Sequence, residues 1–275
     1  MANKYTRWLP PALIEHLKPL FKYGVYFSGR YDDWISASKS ATGYDAYHIL
    51  EKVKCATLDV IAGRAVFERD SVLFHEVQHC FPVLAGLLRA SVGHEGRLSV
   101  LDFGGSLGSS YFQCRDFLSV LNSLSWNVVE QPHFVRCGRE HIESEQLKFF
   151  LSIDEVLRKS KPDVALLSSV LQYLPEPYGV LSELMQSEID YLIIDRTPFH
   201  EASDDVITVQ YVPATIYPAS YPCRIFSKRA IMAHITNGYE IVAEFDSHDG
   251  SSMTDGIRFI FGGMILRRKL KASLL

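Results

Sequence analysis

The sequence predicts an α/β fold: five parallel strands and a C-terminal antiparallel hairpin, preceded by a helical N-terminal cap. Two observations carry this. From Arg97 onward, short apolar runs alternate with amphipathic stretches, the pattern of strand–helix units feeding one parallel sheet. Within that region, residues 98–108 (LSVLDFGGSLG) end an apolar run in an acid, turn through glycines and enter a helix-like stretch. A parallel strand delivers its tip to the sheet's carboxyl edge in this way, and glycines there keep side chains clear of anything docked.

The elements follow in order. Leu13, Leu17 and Leu20 give residues 10–24 roughly helical spacing, and a polar, aromatic loop follows over 24–45. Residues 45–63 read as a helix through Ile49, Leu50, Val53, Ala56, Leu58 and Ile61. A further helix runs from Asp70 as N-cap through Leu73, Val77, Phe81, Leu84 and Leu88, kinked at Pro82. Residues 1–95 are therefore expected to form the cap or lid, and 96–275 the sheet domain. Strands are expected at 98–103, 126–130, 147–152, 163–169 and 190–195, with helices near 108–122, 133–144, 153–160 and 178–188. An aromatic, proline-rich stretch (207–226) leads to a short helix at 227–236. The strands GYEIVAEFD and GIRFIFGGMIL, joined by the polar loop HDGSSMTDG, close the sheet as a hairpin.

Composition narrows the function. With 275 residues, 47 % apolar and 22 % charged, the chain can bury a sizeable core. A net charge of −4 argues against a general nucleic-acid binder, and the basic tail Arg267, Arg268, Lys269 and Lys271 reads as a solvated end. No apolar stretch reaches the ~18–20 residues of a membrane span, and the N-terminus lacks a signal-peptide pattern. Cys55, Cys80, Cys114, Cys137 and Cys223 are odd in number and lack C-x-x-C spacing, against a disulfide framework or a cysteine zinc site. The expectation is a soluble cytoplasmic protein, monomer or homodimer, with a small-molecule partner and neither nucleic acid nor membrane.

Charge at the glycine turn selects the ligand class. Asp102 stands at the strand tip before Gly104, Gly105 and Gly108. A carboxylate there repels a pyrophosphate but suits a sulfonium-bearing amino acid, which favours S-adenosylmethionine over a nicotinamide dinucleotide. Glu130 ends the next strand, 22 residues beyond Gly108, the offset at which an acid accepts hydrogen bonds from both ribose hydroxyls. Gln131 is placed to reach the same adenosine or to orient Glu130.

The chain resembles the class I S-adenosylmethionine-dependent methyltransferases, with their Rossmann-like sheet, over roughly residues 96–268. Through LDFGGSLGSSYFQ, WNVVEQP, LLSSVLQYLPEPY, IIDRTPF and ASYPCRIF it is more narrowly similar to a bacterial family of uncharacterised methyltransferases from polysaccharide-type biosynthetic loci. The resemblance implies S-adenosylmethionine as cofactor, S-adenosylhomocysteine as product, no metal, and methyl transfer to a small-molecule acceptor, a sugar hydroxyl being one candidate. It puts Asp102, Gly104, Gly105, Ser106, Gly108, Glu130, Gln131, Ser168 and Ser169 on the cofactor. Ser106 replaces the pattern's middle glycine, so it needs an ordinary backbone angle or a compensating turn at Gly105, and its hydroxyl is placed to cap the next helix or touch the cofactor carboxylate. Ser152–Asp154, after the third strand, is where adenine is usually cradled.

Gln172 and Tyr173 fall beside the transferred methyl, where many relatives carry an acid, an asparagine or a histidine; Tyr173 reads equally as a helix-start aromatic. Asp195 and Arg196 follow the fifth strand, either as an ion pair or with Arg196 clamping an anionic acceptor. Gln210, Tyr217 and Tyr221 either hold a sugar or aromatic alcohol or simply cover a sheet edge, and Tyr44 and Asp45 are lid contacts. His133 and His200 are candidate bases that read first as surface or capping histidines. Two alternatives stand beside the enzyme. One is a non-catalytic cofactor binder, because no general base is evident. The other is a zinc hydrolase through HEVQH at 75–79, weakened by Pro82 and by the lack of a convincing third ligand, Glu95 included.

Overall fold

The computed structural model describes residues 24–42, 46–213 and 219–270. The helix expected over 10–24 falls almost wholly outside them, as do Tyr44, Asp45 and Tyr217.

The N-terminal part is not purely helical. Strand β1 (Tyr26–Tyr31) and helix α1 (Trp34–Ser40) occupy the expected loop, with Asp33 capping α1 by accepting from Ser36 N at 2.7 Å. Helix α2 (Ala46–Ile61) matches its reading. The helix expected from Asp70 does not begin there. Strands β2 (Phe67–Arg69) and β3 (Val72–Phe74) form a hairpin with Arg69 opposite Val72. Asp70 and Ser71 supply the two left-handed residues (φ 52° and 64°) of its tight turn. Residues 75–80 are irregular, and helix α3 (Phe81–Val92) begins only at Phe81. Pro82 sits in its first turn, where a missing N–H leaves no bond broken, so the proline starts a helix rather than kinking one.

Beyond this lies the alternating region. β4 (Arg97–Phe103) leads into α4 (Ser109–Cys114), β5 (Ser123–Val129) into α5 (Pro132–His141), and β6 (Leu147–Phe150) into α6 (Ile153–Lys159). Then come β7 (Val164–Ser168), a 3₁₀ turn at Leu171–Tyr173, α7 (Pro177–Gln186) and the long β8 (Tyr191–His200). The proline-rich stretch folds as β9 (Val206–Val212) and β10 (Ala219–Ser227), ahead of α8 (Lys228–Ile235), β11 (Tyr239–Thr254) and β12 (Ile257–Arg268). HDGSSMTDG is not a loop: β11 runs through most of it, and the left-handed pair Asp255-Gly256 makes the turn.

Neighbouring strands run β6–β5–β4–β7–β8, each pair parallel. β12 joins β8 antiparallel and β11 joins β12. Because side chains alternate across a pleated sheet, successive residues of one strand feed two cores. Val100, Trp126, Val128, Phe149 and Leu166 pack on α2–α5; Leu101, Val129, Phe150, Leu167 and Ile194 pack on α6–α8. The chain moves outward from β4 to β6, then returns to β7 on the other side of β4. The carboxyl tips of β4 and β7 therefore flank a topological switch point, where such sheets bind ligands.

A second tier stands above that edge. The far half of β8 leaves β7 and takes β10 as its parallel neighbour, Phe226 opposite Phe199. β10, β9 and β1 then pair antiparallel around a small core of Phe27, Val206, Cys223, Ile225 and Phe259. Gly263 of β12 shows how tight the seam is: an added Cβ would meet the Ile194 carbonyl and the Phe245 ring. Gly263→Ala is expected to lower the melting temperature by about 2–10 °C, from an overpacking cost of ~1–3 kcal/mol. Gly179→Ala in α7, whose nearest neighbour atom is 3.9 Å away, should leave it unchanged or raise it; thermal unfolding of both variants checks the pair.

Candidate functional site

The switch-point crevice opens into a cleft of about 1070 Å³ between the two tiers. Its floor is the carboxyl edge of the parallel sheet. Gly104, Gly105 and Ser106 from the β4 turn, Glu130 and Gln131 from the β5 tip, and Ser168 and Ser169 from the β7 tip all line it. Gly104 anchors the turn through its N–H to Val129 O at 2.9 Å. Ser106 takes a left-handed φ of 55°, not an ordinary angle, and Gly105 makes no compensating turn. Gly108 (φ 92°), not Ser106, holds the cap position of α4, and Gly108 packs on Leu147 instead of lining the cleft.

Asp102 lies beneath this floor. Its side chain is 1 % exposed, and Oδ2 accepts from Trp126 Nε1 at 2.9 Å. An added Cβ on Gly105 would overlap its carboxylate, so the glycine is required by the acid below it. Burial, opposed by the Trp126 bond, pushes the Asp102 pKa up to about 7, with Glu130 adding repulsion. Glu130 is half-buried and faces the cleft, one oxygen accepting from Gln131 N at 2.6 Å. Desolvation raises its pKa against the bonds from Gln131 and Ser106. None of the expected adenine segment Ser152–Asp154 lines the cleft: Ser152 caps α6, accepting from Glu155 N at 3.2 Å, and Leu151 just before it lines the cleft instead.

The far wall brings Tyr173, Gln210 and Tyr221 together from three elements. Tyr173 donates to Gln210 Oε1 at 3.0 Å, and Gln210 Nε2 donates to Tyr221 at 3.2 Å. The two tyrosine rings meet edge-on, 5.2 Å between centroids. Burial raises the Tyr173 pKa, so its hydroxyl is a donor here and not a base. Arg196 crosses the cleft and is not paired with Asp195. Its guanidinium holds Asp249 of β11 at 2.9 Å and Asp70 of the β2–β3 turn at 3.1 Å. This occupies the fork that an anionic acceptor would need.

Other expected residues are excluded from this cleft. Gln172 is fully buried, and its Nε2 ties Ser169 Oγ and Arg196 O together, each at 3.1 Å. Asp195 is buried behind the β7 tip, accepting from Ser168 Oγ at 2.9 Å, and burial raises its pKa. His133 lies in the first turn of α5, and desolvation lowers its pKa. His200 ends β8, buried, with Nδ1 accepting from Ala202 N at 3.3 Å. Neither histidine lines the cleft. The zinc reading fails on backbone geometry, since irregular residues 75–79 do not put His75 and His79 one helical turn apart.

Sequence reasoning missed Glu68, Asp70 and Asp249, all of which line the cleft. Glu68 and Asp70 fell at the edge of an expected helix, and Asp249 in an expected loop. A turn signal was present at Asp70-Ser71 between two short β-formers, Phe67–Arg69 and Val72–Phe74.

No family model matches this chain, and no curated protein matches it. Among solved structures it is similar to the N-terminal domain of EvdMO1 crystallised with SAH and D-fucose: 15 % identity, 82 % of this chain and 98 % of that one covered, TM-score 0.47. It is also similar to human N-acetylserotonin methyltransferase in complex with SAM: 12 % identity, 68 % and 52 % covered, TM-score 0.45. A third is SAM-bound CalS10, an amino pentose methyltransferase from Micromonospora echinaspora: 11 % identity, 69 % and 89 % covered, TM-score 0.43.

The buried acid under the turn makes a pH prediction. Asp102 binds its proton more tightly folded (pKa about 7) than unfolded (~3.9). Its contribution to stability is therefore complete below pH ~4 and is lost as pH rises through 7. Asp102→Asn removes that loss and can still accept from Trp126. The melting temperature of the variant relative to wild type should rise steadily from pH 5 to pH 8. A constant difference across that range would contradict a burial-raised pKa.

Proposed function

We propose that this chain is an S-adenosylmethionine-dependent methyltransferase acting on a small, hydroxyl-bearing molecule. The observation that carries this reading is the switch-point cleft itself. A glycine turn at the tip of β4 and a half-buried carboxylate, Glu130, at the tip of β5 share its floor. Five parallel strands with an antiparallel hairpin on the fifth is also the layout that the sequence resemblance implies.

The residues fit the cofactor. Glu130 offers a desolvated carboxylate where paired ribose hydroxyls would donate to it, and Leu151 offers an apolar surface at the tip of β6 for a base. Gly104 and Gly105 let the turn pack on Val170 and on the Asp102 carboxylate, leaving its backbone bare toward the cleft. The bound cofactor supplies a methyl group already activated on a sulfonium, so the protein contributes mainly position. The second tier holds the acceptor. Tyr173, Gln210 and Tyr221 present flat apolar faces with donors and acceptors at their tips, the surface that suits a sugar ring or an aromatic alcohol. With Arg196 already neutralised by two aspartates, the chamber favours a neutral acceptor over an anion. This reading assigns no general base.

Calorimetric titration with S-adenosylhomocysteine tests it. Wild type should bind, and Glu130→Ala should bind at least about tenfold more weakly, since it loses charge-assisted bonds. Absence of wild-type binding would end the methyltransferase reading. Unchanged affinity in the variant would end only the ribose assignment.

A further inference from the structure

Among the buried carboxylates of the described residues, Glu68 lines the cleft from outside the glycine motif. Glu68 of β2 is 1 % exposed and lines the cleft, yet no described cation lies in ion-pair contact with it. Among the described residues, its oxygens accept from the Ser109 hydroxyl, at the start of α4, and from Ser71 N at 3.1 Å. Arg196, the nearest strong cation electrostatically, is committed to Asp70 and Asp249. Glu68 also lines a smaller cavity of about 230 Å³ that shares Arg69, Ser109, Ser110, Ser168 and Arg196 with the cleft; the Arg69 guanidinium bonds Gln78 Oε1 at 3.3 Å and makes no ion pair with Glu68 among the described residues. A carboxyl group taken out of water without a cation is costly, and burial pushes its pKa up to about 7. Such a group belongs either in a core with full hydrogen bonding or in a site whose ligand brings the positive charge.

Position decides between ligand groups. The Ser109 bond places Glu68 at the glycine-turn end of the cleft, where β4 passes into α4, and not at the Tyr173–Gln210–Tyr221 wall. The methyltransferase reading puts the amino-acid part of the cofactor at this end. We propose that Glu68 receives the positively charged α-amino group of that amino acid, a contact supplied by the β2–β3 hairpin and not by the sheet. The inference rests on that reading and adds a residue outside the glycine motif. An amine carried by the acceptor is the other source of the same chemistry, and the experiment separates the two.

Two probes make the test, both without acceptor: S-adenosylhomocysteine, which carries the ammonium, and 5′-methylthioadenosine, which lacks the whole amino acid. Glu68→Gln should weaken the first by about 10- to 100-fold and the second by less than about twofold. Equal weakening of both, or unchanged binding of the first, overturns the proposal, and unchanged binding would leave an amine-bearing acceptor as the partner. Failure of wild type to bind either probe sinks the underlying reading instead. Should the variant not fold, the wild-type affinity ratio of the two probes decides. Asp70, Arg69 and Arg196 flank Glu68, whose pKa burial pushes up to about 7. The ratio should shift towards S-adenosylhomocysteine from pH 5.5 to 7.5, by up to about tenfold per unit. Asp102, also near pH 7, is removed by repeating the series in Asp102→Asn. A flat ratio overturns the proposal.

Discussion

The cleft exists because one strand changes neighbours at a single residue. Up to Asp195, β8 pairs with β7 in an ordinary parallel ladder, the last bond running from Ser169 N to Asp195 O at 2.9 Å. Arg196 then turns left-handed, at φ 52°. Beyond it the same strand carries the antiparallel tier through β10 and β12. The Arg196 side chain closes the arrangement it begins, tying the β2–β3 turn through Asp70 to the far half of β11 through Asp249. With its side chain only 20 % exposed, this guanidinium is held in a medium where its two partners are worth more than at the surface.

Strain collects at the same edge. Ser106 and Ser169 beyond the tips of β4 and β7, and Arg196 midway along β8, are left-handed non-glycine residues, each conformation costing on the order of 1–3 kcal/mol. Hydrogen bonds hold two of them. Gln172 Nε2 bridges the Ser169 hydroxyl and the Arg196 carbonyl, so one buried amide ties the β7 exit to the middle of β8. Gly104 must be small for a different reason, because Val170 packs directly on it. The first glycine of the motif is thus fitted to the chain's own β7 exit as much as to any ligand.

The parallel core was legible because it rests on local patterns. Apolar runs such as Val164–Leu167 are buried on both faces and read as strands wherever they fall. The second tier was not. In β9, Val206, Thr208, Gln210 and Val212 point one way, but Thr208 and Gln210 break the apolar signal because they hydrogen-bond across the tier. The β2–β3 hairpin was hidden by coincidence. Leu73, Val77 and Phe81 keep helical spacing through a strand, an irregular stretch and a helix start. The floor of the site therefore came from motif spacing, whereas Glu68, Asp70 and Asp249 join it through side-chain contacts to Ser109 and Arg196 that no local window contains.

Electrostatics joins these parts. Glu68, Asp102, Glu130 and Asp195 surround or underlie the cleft, and burial raises the pKa of each. Each of them counts against placing further negative charge here. A dinucleotide would bring its pyrophosphate to the β4 turn, above Asp102 and beside Glu130, where repulsion would add to the desolvation those acids already carry. A ligand bearing positive charge does the reverse: it favours the ionised carboxyls and offsets their burial. Charge sign thus discriminates between two nucleotide classes that one backbone turn could otherwise hold.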